Sequence, residues 1–208
     1  MLNIALFGSG RGSNFQAILA AMEGGKISNA RIAVAISNSS GSGILDIARS
    51  RGIPALHLSE KQSACTEEFV SKLLTVLSGY QVNFIALAGY MKRLDPRVIR
   101  AYRNRIINIH PALLPKFCGA GMYGERVHEA VIAAGEKVSG ATVHIVDEEY
   151  DRGPIVLQKQ VSVEPGDTPE TLAARVLLVE HELYPEAIRL FASGKVTVRQ
   201  NEVAIEYS

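Results

Sequence analysis

The sequence predicts an α/β protein: a Rossmann-like, mostly parallel sheet flanked by helices, with an antiparallel part of the sheet toward the C-terminus. Three observations predict it. Apolar strand-like runs alternate with segments of helical period from Met1 to about Val98. The strand at 82–88 is almost wholly hydrophobic, as buried parallel strands are when helices cover both faces. Glycine or proline punctuates most segments, and short loops between strand and helix imply right-handed crossovers.

The elements follow in order. Residues 2–7 form a compact apolar run that stops at Gly8. Phe15, Ile18, Leu19 and Met22 then recur at i, i+3, i+4 and i+7, one helical face closed by Gly24 and Gly25. The second strand is 32–36. Ile44, Leu45, Ile47 and Ala48 mark a short helix stopped by Gly52 and Pro54, and 55–58 is a weak third strand. Phe69, Val70, Leu73, Leu74 and Leu77 mark a helix ended by Gly79, and the hydrophobic fourth strand follows. Asp95-Pro96 is a helix start, an N-cap followed by proline at the first helical position. The fifth strand is 106–109.

Beyond it the pattern changes. Residues 111–124 form a proline- and glycine-rich loop, and 127–134 a short helix. Strands at 143–146 and 155–163 flank a polar loop and are expected to pair antiparallel. Thr168-Pro169-Glu170 opens a long helix with Leu172, Val176, Val179 and Leu183 on one face. The tail, 195–207, reads as a hairpin around Gln200-Asn201. No repeat, low-complexity linker or composition break divides the chain, so a single domain over 1–208 is expected.

Charge and cysteine usage exclude several classes. The 22 Lys and Arg against 21 Asp and Glu leave +1, which supplies no general attraction to nucleic acid or an anionic membrane. Cys65 and Cys118 make neither a zinc spacing nor a disulfide framework, and no His, Cys and carboxylate grouping has metal-ligand spacing. The start, MLNIALFGSGRGSN, lacks the basic leader and cleavage site of a secretory signal. The longest strongly apolar run, 84–91, is too short to cross a bilayer. A cytoplasmic protein without nucleic-acid or membrane partners is expected.

Three segments could carry chemistry. GSGRGSN at 8–14 joins the first strand to the first helix, where glycines let the backbone approach an anion and free N–H groups favour negative charge. It lacks the Lys-Ser/Thr of a P-loop, and Ser13 stands where a dinucleotide fingerprint has its third glycine. Ser37-Asn38 supplies no acid for a ribose diol, so the loop suggests one phosphate on a small substrate; a tight turn without ligand stays open. In Asn108-Ile109-His110-Pro111, alternation points Asn108 and His110 to one face at the strand's C-terminal end. An amide beside an imidazole suits oxyanion stabilisation and proton transfer. A histidine bonded to a loop carbonyl beside a capping Asn is the competing reading. In Asp147-Glu148-Glu149-Tyr150-Asp151-Arg152-Gly153-Pro154, Asp151 stands apart, because Arg152-Gly153-Pro154 constrains the backbone after it. Among the remaining histidines, His144 reads as buried and satisfied in its strand. His57 precedes a surface loop, His128 lies on a short helix, and His181 follows Glu180, which either reaches a substrate or faces water.

Together GSGRGSN, LAGYM at 87–91, NIHPALLPKF at 108–117 and DEEYDRGP at 147–154 resemble the phosphoribosylglycinamide formyltransferases, across nearly the whole chain and in the same order. The resemblance implies the formyltransferase fold. It further implies transfer of formyl from the co-substrate 10-formyltetrahydrofolate, without a metal, to the amine of glycinamide ribonucleotide, in de novo purine biosynthesis. Residues 1–105 would form the phosphate- and nucleotide-binding half, and 106–208 the folate-binding and catalytic half. Asn108, His110 and Asp151 match the catalytic triad, with a protonated His110 and Asn108 stabilising the oxyanion and Asp151 favouring that protonation. Gly12, Ser13 and Asn14 match the substrate phosphate loop, Glu180 matches a ribonucleotide-binding residue, and Gly89 and Pro111 lie on the substrate side. Met91, Lys92, Arg93 and Leu94, with Asn108, Val146, Asp147 and Asp151, match the folate pocket.

Three departures stand out. Thr66 occupies the place of an arginine that in many relatives grips the phosphate. The loop at 118–124 (CGAGMYG) is longer than in some relatives, and Arg152 fills a variable position of the DxGP motif. The nearest alternative, formyltetrahydrofolate deformylase, shares the triad but usually carries a domain before the first strand, whereas here that strand starts at Leu2. Methionyl-tRNA formyltransferase usually adds an RNA-binding barrel and a basic surface. A Rossmann-type binding module without turnover is disfavoured by the intact triad. A stand-alone monomer or homodimer is expected.

Overall fold

Each strand that the sequence marks by an apolar run forms in the computed structural model, which describes residues 1–206. The chain folds as two compact units, Met1–Ile106 and the residues from Ile107 onward. In the first unit, β1 (Leu2–Phe7), α1 (Ser13–Glu23), β2 (Ala30–Ser37), α2 (Gly43–Ser50), β3 (Ala55–His57), α3 (Thr66–Gly79), β4 (Phe84–Leu87) and α4 (Pro96–Ala101) follow in sequence. The four strands run parallel in the order β3-β2-β1-β4. Ile4, Leu6, Phe7, Val34, Ile36 and Ile85 are inaccessible or nearly so, which explains why these strands read as continuous hydrophobic runs. Asp95 caps α4 as its sequence suggests: Oδ1 accepts the Arg97 backbone N–H at 2.9 Å.

In the second unit, β5 (Ile106–His110), α5 (Glu125–Ala133), β6 (Val138–Ile145), β7 (Ile155–Ser162) and α6 (Pro169–Ala192) are followed by a hairpin of β8 (Val196–Arg199) and β9 (Glu202–Ile205). Strand β6 pairs antiparallel with both β5 and β7. The parallel and antiparallel parts expected from the sequence are therefore both present. Gln200 and Asn201 have φ of 48° and 65°, the left-handed pair that a two-residue hairpin turn requires. Tyr207, included in the expected tail, lies outside the described residues.

One strand is longer than its sequence signal. Strand β6 begins at Val138 rather than 143, because Ser139-Gly140 interrupts the apolar alternation without breaking the pairing. A Cβ at Gly140 would collide with the Lys159 carbonyl and lie 2.6 Å from the Leu113 side chain, so glycine is what lets the strands approach. Helix α6 runs on through Pro185. Proline removes one N–H from the helical ladder, but Ala187, Ile188 and Leu190 beyond it are fully buried, and their burial sustains the helix. Among the described residues no helix is long and apolar enough to cross a membrane.

Helix α5 carries His128 inward, 4% exposed. Burial, with a smaller contribution from the charge of His110, pushes its imidazole down to about 4. The unfolded chain binds a proton there below about 6.5 while the folded chain stays neutral, so stability must fall as pH drops from about 6.5 to about 4, by on the order of 3 kcal/mol. Chemical denaturation at pH 7 and pH 5 is expected to show about 2 kcal/mol of this loss, and His128→Phe is expected to reduce the difference. An equal difference in the variant would refute the assignment.

Candidate active site

In the first unit the glycine loop is locked before any ligand is considered. Gly12 has φ 86°, and a Cβ there would lie 2.7 Å from Ile47 Cδ1 and 2.9 Å from Ile44 Cγ2 on α2. Ser42 Oγ donates to the Gly10 carbonyl at 3.0 Å. These contacts fix the entry to α1, where Ser13 and Asn14 occupy the first two helical positions and the first-turn N–H groups point at incoming negative charge. Ser9 ties this loop to the segment after β4. Its N–H donates to the Gly89 carbonyl at 3.0 Å, its Oγ accepts the Met91 N–H at 2.9 Å, and the same hydroxyl donates to Asn38 Oδ1 at 2.5 Å. The expected phosphate loop and the expected folate segment are thus brought together within one unit. Met91, Lys92 and Arg93 are exposed and Leu94 is buried. Thr66 opens α3, and its hydroxyl donates to Glu60 Oε1 at 2.5 Å, so it offers no cation in place of the missing arginine.

In the second unit, the antiparallel register sets Asn108 opposite His144 and His110 opposite Thr142. Directly opposed residues project to the same face, so four polar side chains share it. Thr142 anchors the loop after β5: its Oγ1 donates to the Ala112 carbonyl at 2.6 Å and accepts the Leu114 N–H at 3.2 Å and Gln158 Nε2 at 2.9 Å. The loop then turns back on the site. Phe117, at φ 53°, presents its carbonyl 2.8 Å from His110 Nε2, and the Gly119 N–H donates to Asp151 Oδ2 at 3.2 Å. A carbonyl only accepts, so His110 Nε2 bears hydrogen and Nδ1 is the free nitrogen in the neutral ring. That Nδ1 lies 3.8 Å from Asp151 Oδ2, beyond a direct hydrogen bond but within strong electrostatic reach.

Asp151 reaches this position from the segment leaving β6. Val146 and Asp147 are half-buried there, and Asp147 Oδ1 accepts the Glu149 N–H at 2.8 Å. Asp151 has φ 52°, a left-handed conformation that costs a non-glycine residue about 1–3 kcal/mol. The backbone beyond it is held by the Ile145 N–H to the Pro154 carbonyl, 2.9 Å, and by Gly153, where any Cβ would collide with the Ile145 carbonyl. The Arg-Gly-Pro constraint read from the sequence is this close approach.

His144 agrees with its sequence reading as buried and satisfied, and adds to it. It is buried, 2% exposed, but its partners belong to the site: Nε2 lies 3.2 Å from Asn108 Nδ2 and 3.5 Å from Asp151 Oδ1. The charge state of His110 is set by opposing influences. Burial pushes this imidazole below its ordinary value and outweighs Asp151 and the Phe117 carbonyl, which push it up. Asp151 therefore favours the protonated ring, as expected, yet the net balance favours the neutral one. Burial of Asp151 works to raise its carboxyl, but the adjacent His144 and His110 imidazoles and the Gly119 N–H together hold it below the usual carboxylate range. Pro111 is half-buried beside His110, and Glu180 lies buried on α6. In the loop at 118–124, Cys118 donates from Sγ to the Pro115 carbonyl at 3.2 Å, and Arg126 stacks over Tyr123 at 5.5 Å. Sequence reasoning missed Thr142, Gln158, Phe117, Gly119 and the role of Ser9; only pairing register and loop path reveal them.

The site can donate to a developing oxyanion from an amide, hold a proton at Nδ1 of a shielded imidazole, and stabilise that proton with a carboxylate. The formyl transferase family pattern matches residues 2–188. The chain belongs to that family. Phosphoribosylglycinamide formyltransferase, chloroplastic, of Arabidopsis thaliana is 41% identical over 203 residues, 97% of this chain and 69% of that protein. The trifunctional purine biosynthetic protein adenosine-3 of Homo sapiens is 38% identical over 198 residues, 95% of this chain and 19% of that protein. Among solved structures, glycinamide ribonucleotide transformylase 1 from Symbiobacterium toebii superposes with a TM-score of 0.92 at 41% identity, covering 100% of this chain and 95% of that one. A formyltetrahydrofolate deformylase from Pseudomonas syringae gives 0.87 at 25% identity, covering 100% and 67%. The fold is that of these formyl transferases, and the likeness in sequence is greater to the ribonucleotide transformylase than to the deformylase.

If burial governs His110, its imidazole titrates below 6.5, and removing the Asp151 charge must lower it further, because that charge favours the protonated ring. Histidine-selective NMR titration of the wild type and of Asp151→Asn is expected to show a midpoint below 6.5 that moves down in the variant. A midpoint that rises in the variant would contradict the assignment.

Proposed function

We propose that the enzyme transfers the formyl group of 10-formyltetrahydrofolate to the amine of glycinamide ribonucleotide in purine biosynthesis, with Asn108, His110 and Asp151 carrying the chemistry. The observation that carries this reading is the single buried network joining those three side chains through His144 and the loop at 117–119. The 41% identity to phosphoribosylglycinamide formyltransferases supports the choice of acceptor.

The amine nitrogen attacks the formyl carbon and forms a tetrahedral intermediate whose oxygen takes the negative charge. Asn108 donates from its amide to that oxygen; a preorganised donor of this kind is worth about 100- to 1,000-fold in rate. The attacking amine loses a proton, and His110, neutral beforehand, has the free lone pair at Nδ1 to receive it. The ionised Asp151 stabilises the imidazolium so formed. Collapse breaks the bond from carbon to the folate nitrogen, which takes the proton as it leaves. Products are formylated amine and tetrahydrofolate, with no net change in protons.

Substrate placement follows the same reading. Gly12, Ser13 and Asn14 hold the substrate phosphate on the backbone N–H groups at the start of α1, while Gly89, Pro111 and Glu180 position the rest of the ribonucleotide. Met91, Lys92, Arg93, Leu94, Val146 and Asp147 line the folate. Residues 1–105 serve the phosphate and 106–208 the folate and the chemistry, in one domain. Its partners are these two small molecules, and it works in the cytoplasm as a monomer or homodimer, without nucleic acid or membrane.

The test follows tetrahydrofolate release from 10-formyltetrahydrofolate with and without glycinamide ribonucleotide. Release that requires the ribonucleotide is expected; release in its absence would make the enzyme a deformylase, and none in either case would remove the catalytic reading. Asp151→Asn is expected to lower turnover by at least about 100-fold, the scale on which a catalytic proton-transfer partner acts, while both substrates still bind. Near-normal turnover of that variant would refute the role of Asp151.

A further inference from the structure

We infer that His144 is the positioning residue that keeps the Asn108 amide turned so that an N–H, not the carbonyl oxygen, faces the forming oxyanion. The inference rests on the formyl-transfer reading, in which Asn108 is the donor; His144 acts through Asn108 and touches no substrate.

The argument is one of hydrogen-bond polarity. His144 Nδ1 lies 2.9 Å from the Ile145 carbonyl oxygen, which only accepts, so Nδ1 carries the hydrogen. A neutral imidazole has one N–H, which leaves Nε2 a bare lone pair. Asn108 Nδ2 stands 3.2 Å from that lone pair and donates to it. An amide nitrogen has two N–H bonds, so one is held by His144 and the second remains for the formyl oxygen. Turning the amide by half a rotation would set Oδ1 against Nε2, two lone pairs face to face, and would present the wrong end of the dipole to the site. His144 therefore selects one of two orientations that are nearly identical in shape.

The surroundings make the selection firm. His144 is 2% exposed, so no water replaces its lone pair as acceptor at low cost. Directly paired across β5 and β6, the two residues cannot drift apart without breaking the sheet register. Asp151 Oδ1, 3.5 Å from Nε2, adds a condition: a proton on Nε2 would turn His144 into a donor to Asp151 and release the amide. Holding Asn108 requires the neutral ring.

Two variants separate orientation from packing. His144→Phe keeps a ring but no acceptor, whereas His144→Gln keeps an amide oxygen that can accept from Asn108. Since misorientation removes a transition-state donor, His144→Phe is expected to lower kcat about 10- to 100-fold, a large part of what losing such a donor costs, with KM within about threefold, as expected for an interaction made only in the transition state. His144→Gln should recover most of the lost kcat. In an Asn108→Ala background His144→Phe should cost nothing further, because there is no amide left to orient. Equal losses in the two single variants, an unchanged kcat in His144→Phe, or costs that multiply in the double variant would overturn the inference. Long-range ¹H–¹⁵N spectra of the wild-type imidazoles test it without turnover: the Nδ1–H tautomer of His144 is expected, and an Nε2–H tautomer would refute it. A wild type that transfers no formyl group but shows the Nδ1–H tautomer would overturn the functional reading and leave the geometry of the pair standing.

Discussion

The face that carries Asn108, His110, Thr142 and His144 depends on one register. Asn108 opposes His144 and His110 opposes Thr142, and because side chains alternate with a period of two, a slip of one residue would turn all four away from the face they share. The same register also fixes the loop after β5, since Thr142 and Gln158 bind the Ala112 carbonyl and both polar groups of Leu114. That loop returns to meet His110 through Phe117 and Asp151 through Gly119. Strand pairing, loop path and the position of the carboxylate are thus links in one chain of constraints, and the lone polar stripe on an otherwise apolar strand pair is where they converge.

Opposing electrostatic effects tune the site. Burial alone would raise the Asp151 carboxyl and lower the His110 imidazole, each toward its neutral form. For Asp151 the hydrogen bonds and the nearby imidazoles prevail; for His110 burial prevails. The outcome is a fixed negative charge beside an uncharged base, the arrangement in which a proton arriving at Nδ1 is received by a group that is free to take it and is then stabilised. A direct short bond between the two would have favoured the protonated ring at rest and removed its capacity to accept. The 3.8 Å separation keeps the stabilisation without that commitment.

What the sequence reveals and what it hides divide along physical lines. His110 directly precedes Pro111 and Asp151 lies two residues before Gly153-Pro154, residues that constrain backbone in a way a single sequence displays, and the structure groups both with Asn108 through His144. The glycine loop is legible for the same reason, since Gly12 sits where a side chain has no room. His144 is not legible: a histidine between apolar strand neighbours has the same pattern whether its ring meets a bland carbonyl or a catalytic amide. Thr142 and Gln158 are hidden likewise, because cross-strand partners are set by register rather than by local spacing. The start of β6 is missed where Gly140 substitutes close approach for hydrophobic alternation. The charge of His110 is a property of burial and could not be read from its neighbours in sequence.

The proposed roles of Asn108, His110 and Asp151 also bear on where specificity resides. A deformylase and a transferase of this family can use the same amide, imidazole and carboxylate, because both pass a formyl group through the same tetrahedral intermediate; only the nucleophile differs. Water is small and abundant, so a transferase must favour the amine by binding energy drawn from parts of the acceptor remote from the reacting nitrogen. On the proposed function that energy would come from the first unit, where the α1 N-terminus is fixed by Gly12 against α2 and by Ser42 on Gly10. Thr66 is occupied by Glu60 and contributes no cation, which shifts the demand for phosphate binding onto backbone N–H groups. Those groups are held by packing rather than by a flexible side chain, so little ordering entropy opposes their use. Discrimination between amine and water is on this view a property of the phosphate loop, and the triad supplies rate without choosing the acceptor.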